Sequence, residues 1–246
     1  MADSSHKHPL AHGRAGGQPG YSMAKLKLYH SDQLEGAAEA VRLTMVFANK
    51  DFEDIRLDRY EWSQNPATNK YRFSAVPVLQ VDSSQGRMVL TRSHAMLRYI
   101  ARSFDNACTL YPEHKPVECA AVDELMAIFD IFDERSFGFP EVTGVLAYVE
   151  ASLMQQPHAR FLTGNTITIA DLVLLCNLRD LDANDHLREF PALCNWIGRM
   201  KEDRRVLSWY NPNVSDLLEK IPTHSAKNAH SVRISLSQKN NASFMA

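Results

Sequence analysis

The chain has 246 residues, 45% hydrophobic and 23% charged, with a formal net charge of −2, which is enough length for one large domain or two small ones with real cores. The near balance of charge gives no support for a nucleic-acid surface, and no apolar run reaches the roughly 18 residues needed to cross a membrane. Four scattered cysteines, Cys108, Cys119, Cys176 and Cys194, include no Cys-x-x-Cys pair and follow no secretory signal, so a reduced, cytoplasmic setting is expected.

Residues 1–22 hold Gly13, Gly16, Gly17 and Gly20 with Pro9 and Pro19 and almost nothing apolar. They read as a disordered extension, and His6, His8 and His12 as part of a solvated tail rather than a metal site. Residues 25–29 alternate as a strand, and 39–49 carry Val41, Met45 and Val46 on one helix face. A short strand follows at 53–57. Residues 78–81 and 88–90 form a hairpin across 82–86, closed by a helix over 93–103. This order, βαβ then ββ then α, predicts an α/β thioredoxin-like domain over 23–104. Beyond Phe104 the strand signals stop. Residues 116–133, 139–153, 168–181 and 191–203 all space apolar residues by three and four, so an all-α domain is expected over 105–222. Within it, Thr168 and Asp171 make a capping box at the start of a buried helix. Residues 223–246 read as a loose polar tail.

Two segments carry the functional signal. In Ala75-Val76-Pro77-Val78-Leu79 the proline cannot donate to a ladder, so it belongs at the start of an edge strand or in a turn. A cis Val76-Pro77 bond would leave the backbone N–H and C=O of Val76 free to pair with an extended ligand. Some dozen residues on, Ser93 stands at a helix N-cap before Ala95, Met96, Tyr99 and Ile100, where bare N–H groups and a positive dipole end suit a carboxylate.

This succession of strand, proline, hairpin and helix resembles the glutathione site of the glutathione S-transferase family. There the second segment reads Gln-Ser-x-Ala-Ile-x-Arg-Tyr-Leu-Ala; here it is Arg92-Ser93-His94-Ala95-Met96-Leu97-Arg98-Tyr99-Ile100-Ala101, departing at Arg92. The string from Gly164 to Asp171 is similar to the family's Gly-Asp-x-Leu-Thr-Ile-Ala-Asp, whose role is structural. The resemblance runs from about Lys25 to Tyr210 and lies nearest the tyrosine-type, sigma-like classes.

It implies a cytoplasmic homodimeric enzyme that conjugates the glutathione thiolate to hydrophobic electrophiles, with glutathione as co-substrate and no other cofactor. A free cysteine thiol with a pKa near 8.5 is only about 3% thiolate at pH 7, and lowering it by about two units corresponds to about 2.7 kcal/mol. In tyrosine-type members a Tyr hydroxyl at the end of the first strand supplies that stabilisation, and Tyr29 matches it. The loop from His30 to Ala37 is two residues longer than the family's and lacks its arginines, and counting back from Glu39 without a gap lands on Ser31, the reserve hydroxyl. Trp62 and Lys70 match the residues that hold the glycyl carboxylate, and Val76 with Pro77 supplies the edge. Arg92 and Ser93 would take the γ-glutamyl carboxylate, and Asp123 would reach the ammonium across a dimer interface. Phe132, Phe137, Phe139 and Trp209 would meet the electrophile, though they suit a core equally. An inactive glutathione-binding relative, such as a lens crystallin or a translation-factor subunit, and a glutathione-dependent isomerase or peroxidase are the alternatives.

Overall fold

Lys25–Ser31 (β1) alternates apolar and polar residues, and the alternation sorts them onto two faces of a sheet. This computed structural model describes residues 24–31, 36–58, 60, 77–133, 139–180 and 187–211; the predicted terminal segments 1–22 and 223–246 lie outside them. After β1 come Gly36–Phe47 (α1), Glu53–Leu57 (β2), Val78–Ser83 (β3), Gly86–Leu90 (β4) and Ser93–Phe104 (α2). The helical part follows as Pro116–Asp133 (α3), Phe139–Gln155 (α4), Ile169–Asp180 (α5), Pro191–Glu202 (α6) and Arg204–Tyr210 (α7). An α/β unit with a helical unit after it is the predicted fold class.

The strands lie in the order β2-β1-β3-β4. β1 runs parallel to β2 and antiparallel to β3, and β3 pairs antiparallel with β4. Leu26, Leu28, Leu79 and Val81 fall on the inner face and are almost fully buried in a common core with Val41 and Met45 of α1 and Met96, Leu97 and Ile100 of α2. Lys27 pairs with Glu53 at 2.6 Å on the opposite face. The hairpin is tighter than the sequence predicts, since the ladder continues to Ser83 opposite Gly86 and leaves only Ser84 and Gln85 in the turn. Gly86 makes this possible at φ +109°, a region closed to most side chains.

Asp105 joins the two parts. Its carboxylate accepts from the backbone N–H of Ala107, Thr109 and Leu110 at 3.1, 2.7 and 2.8 Å. Leu110 in turn accepts from Ile169 N–H at 2.9 Å, at the first residue of α5. Residues from Ile169 to Leu178 are buried throughout, because α5 is held between α1 and α3. The capping box is as predicted: Thr168 N–H and Oγ1 donate to Asp171 Oδ2 at 2.8 and 3.0 Å. Asp171 does more than close this turn, accepting at Oδ1 from Leu162 N–H at 3.0 Å and Trp196 Nε1 at 2.9 Å. At α6 the N-cap residue Phe190 offers no side-chain acceptor. Glu150 of α4 supplies it, accepting from Ala192 and Leu193 N–H at 3.0 and 2.8 Å. Among the described residues no helix is long and apolar enough to cross a membrane.

Candidate active site

The register of the sheet brings three segments to one edge. Leu28 lies opposite Leu79, and Leu79 opposite Leu90, so the end of β1, the start of β3 and the chain leaving β4 toward α2 meet at the same end. The carboxyl ends of strands and the N-termini of helices are where open α/β folds hold ligands, because backbone donors are exposed there. Pro77 is buried directly before β3, and Tyr29, opposite Val78, is 8% exposed.

Arg92, not Ser93, is the N-cap of α2: it is extended at φ −123°, ψ 123°, and no side chain caps the helix. Ser93 is the first helical residue and is half-buried, while Arg92 is exposed. The correction is one residue, and it follows from Arg92 already accepting the first helical bond, from Met96 N–H at 3.0 Å. Both residues stay at the exposed donor end of α2, the place expected for a carboxylate.

Asp123 is held within its own chain. Arg98 of α2 donates to Oδ1 through Nε at 2.8 Å, and the Tyr111 hydroxyl donates to Oδ2 at 3.0 Å. Burial and this carboxylate raise the Tyr111 hydroxyl above its ordinary range. Trp209 is likewise engaged, its indole N–H donating to Glu39 Oε1 at 2.6 Å and tying α7 to α1. Trp62, Lys70, Val76 and Phe137 lie outside the described residues, as do the side chains of Ser31, Phe132 and Phe139. Among the described residues no three His, Cys, Asp or Glu side chains gather as a metal site would need.

Beneath the edge, on the inner face, lies a polar cluster that residue spacing alone did not reveal. Arg42 of α1, fully buried, donates to Glu39 Oε2 at 3.1 Å and to Asp54 Oδ1 at 3.0 Å. Arg56 reaches Asp54 Oδ2 at 3.1 Å, and Arg179 of α5 reaches Glu39 Oε1 at 3.1 Å. His30 sits among them, 3% exposed, its ring lowered to about 3 by burial and then by Arg42 and Arg56. A signal for it was present: Leu26, Leu28 and His30 are spaced by two, the period of one strand face.

The glutathione S-transferase C-terminal domain family profile matches residues 134–213. A glutathione S-transferase from Ascaris lumbricoides superposes with a TM-score of 0.63 at 25% identity, covering 81% of this chain and 98% of that one. Probable glutathione S-transferase 7 of Caenorhabditis elegans is 27% identical over 198 residues, 72% of this chain and 91% of that protein. The chain is similar to glutathione S-transferases, by its helical domain to the family profile and along most of its length to these relatives. Its relatives include human Hematopoietic prostaglandin D synthase, 24% identical over 194 residues, 70% of this chain and 94% of that protein, in keeping with the sigma-like character of its motifs. Within this transferase fold the Asp171 string has the structural role expected of it, since every acceptor bond it makes serves the helical core.

Proposed function

We propose that the chain is a glutathione transferase that holds glutathione at the carboxyl edge of the sheet and conjugates its thiolate to hydrophobic electrophiles. The observation that carries this reading is the meeting of the end of β1, buried Pro77 and the uncapped start of α2 at one edge, in a fold that follows known transferases along most of its length. An extended tripeptide with a carboxylate at each end fits such an edge: main chain against Val76, the γ-glutamyl carboxylate at Arg92 and Ser93, and the glycyl carboxylate at Trp62 and Lys70. Positioning the thiol beside the electrophile and holding it as thiolate supplies the chemistry. The sulfur lone pair forms the new C–S bond as the leaving group departs with its electrons. The resemblance assigns the thiol's hydrogen-bond donor to Tyr29, with Ser31 in reserve, and gives Asp123 of a second subunit to the ammonium, which makes the working unit a cytoplasmic homodimer.

The test is retention on immobilised glutathione followed by turnover with a generic aryl halide. Retention with turnover supports the reading. Retention without turnover favours a binding relative that has lost catalysis through its altered loop. Turnover confined to a prostaglandin endoperoxide or a lipid hydroperoxide favours the isomerase or peroxidase reading, which the prostaglandin synthase among the relatives makes the second choice.

A further inference from the structure

His30 closes the inner face of β1, and neither of its ring nitrogens has a hydrogen-bond partner among the described residues. Buried polar atoms are nearly always satisfied, so two orphaned nitrogens on one 3%-exposed ring require an explanation. Arg42 beside it is fully buried and leaves Nη2 unpartnered as well. The position is the end of β1, at the edge where the glutathione reading puts the thiol. His30 lies one residue past the last β1–β3 pair, Tyr29 with Val78, and level with Arg56 of β2. Tyr29, by contrast, projects from the opposite face, with Lys27.

The charges around the ring favour an anion. The guanidinium groups of Arg42 and Arg56 both act on the ring, and both also pair with Asp54. The loop from Asp32 to Ala37 contains no arginine, so Arg42 and Arg56 below the sheet edge offer positive potential that this loop does not.

Building on the glutathione reading above, we propose that His30 is a catalytic residue of this transferase, its neutral imidazole N–H donating to the sulfur of bound glutathione while Arg42 contributes positive charge. The low-lying ring makes the division of labour definite: at pH 7 it is uncharged, so it acts as a donor and not as a base. The S–H proton therefore leaves to solvent water, and the sulfur lone pair then forms the C–S bond as the leaving group departs.

Calorimetry on the full chain comes first, because absence of glutathione binding sinks both the transferase reading and this inference. With binding established, the bound thiolate is titrated by its ultraviolet absorbance. His30→Phe should raise the pH at which the bound thiol ionises by about one to two units with affinity nearly unchanged. His30→Gln, which keeps a neutral N–H, should recover most of that shift. Magnetic resonance of ring-labelled histidine in the unsubstituted protein avoids any folding defect: the His30 ring signals should move with glutathione and much less with S-methylglutathione, which cannot form the anion. Unmoved ring signals on glutathione binding, a thiol that ionises in His30→Phe as in the parent, or a shift seen in Tyr29→Phe instead overturns the proposal.

Discussion

Replacing Asp171 with alanine removes one carboxylate and leaves three N–H donors, those of Leu162, Thr168 and the Trp196 indole, without their acceptor. All four residues are buried, so water cannot substitute freely. At about 1–3 kcal/mol for each stranded donor the gross loss is about 3–9 kcal/mol. An offset acts the other way, because burial pushes the Asp171 carboxyl up against the pull of these donors, and deleting a costly buried carboxylate returns part of the loss. A net destabilisation of about 3–4 kcal/mol is expected, beyond the roughly 1 kcal/mol of an ordinary helix cap. Asp171→Asn keeps one acceptor oxygen but turns an amide N–H2 toward the remaining donors, so it should recover only a minority of the loss. Urea denaturation followed by tryptophan fluorescence measures both, with Trp196 reporting from the bond itself. An alanine variant within about 0.5 kcal/mol of the parent would refute the view that this carboxylate organises the helical core.

Glu150→Gln keeps one of two acceptor oxygens for the start of α6 and should cost about 1–2 kcal/mol in the same assay; an unchanged midpoint contradicts the capping role. His30, lowered from 6.5 to about 3, binds a proton more readily unfolded than folded, so the stability it confers is complete above pH 6.5 and drains away as pH falls toward 3. Between pH 6.5 and 4.5 the parent should lose about 2–3 kcal/mol more than His30→Phe, and parallel acid limbs for the two proteins would contradict this. Asp123→Ala should weaken glutathione binding by about 1–3 kcal/mol while the dimer stays assembled by sedimentation, if it serves the ammonium of a neighbouring site. Intact affinity with lowered stability would confine it to Arg98 and Tyr111.

The fold was legible because its patterns are local. Leu26 and Leu28 alternate, the helix faces repeat at three and four, and Thr168 with Asp171 marks a helix start by chemistry that acts over one turn. The hairpin tip escaped because Gly86 signals a turn without saying which residues stay paired. Parts of the site were legible through Pro77 and the start of α2, which announce an edge and a donor end. What spacing did not give is long-range. Arg42 meeting Asp54, Arg179 meeting Glu39 and Trp209 closing on the same carboxylate as Arg179 span separations of 12, 140 and 170 residues, and only the placing of α1 against β2, α5 and α7 brings them together. Asp123 shows the same limit, since a half-exposed acid at helical spacing says nothing of the Arg98 and Tyr111 that occupy it.

The central claim, that this chain binds glutathione and activates its thiol, is tested most directly by titrating glutathione into the full chain in a calorimeter while following thiolate absorbance at pH 6.5. Saturable binding is expected, with bound thiol already substantially ionised at a pH where free thiol with a pKa near 8.5 is about 1% thiolate. No binding at millimolar glutathione, or bound thiol no more ionised than free, would contradict it.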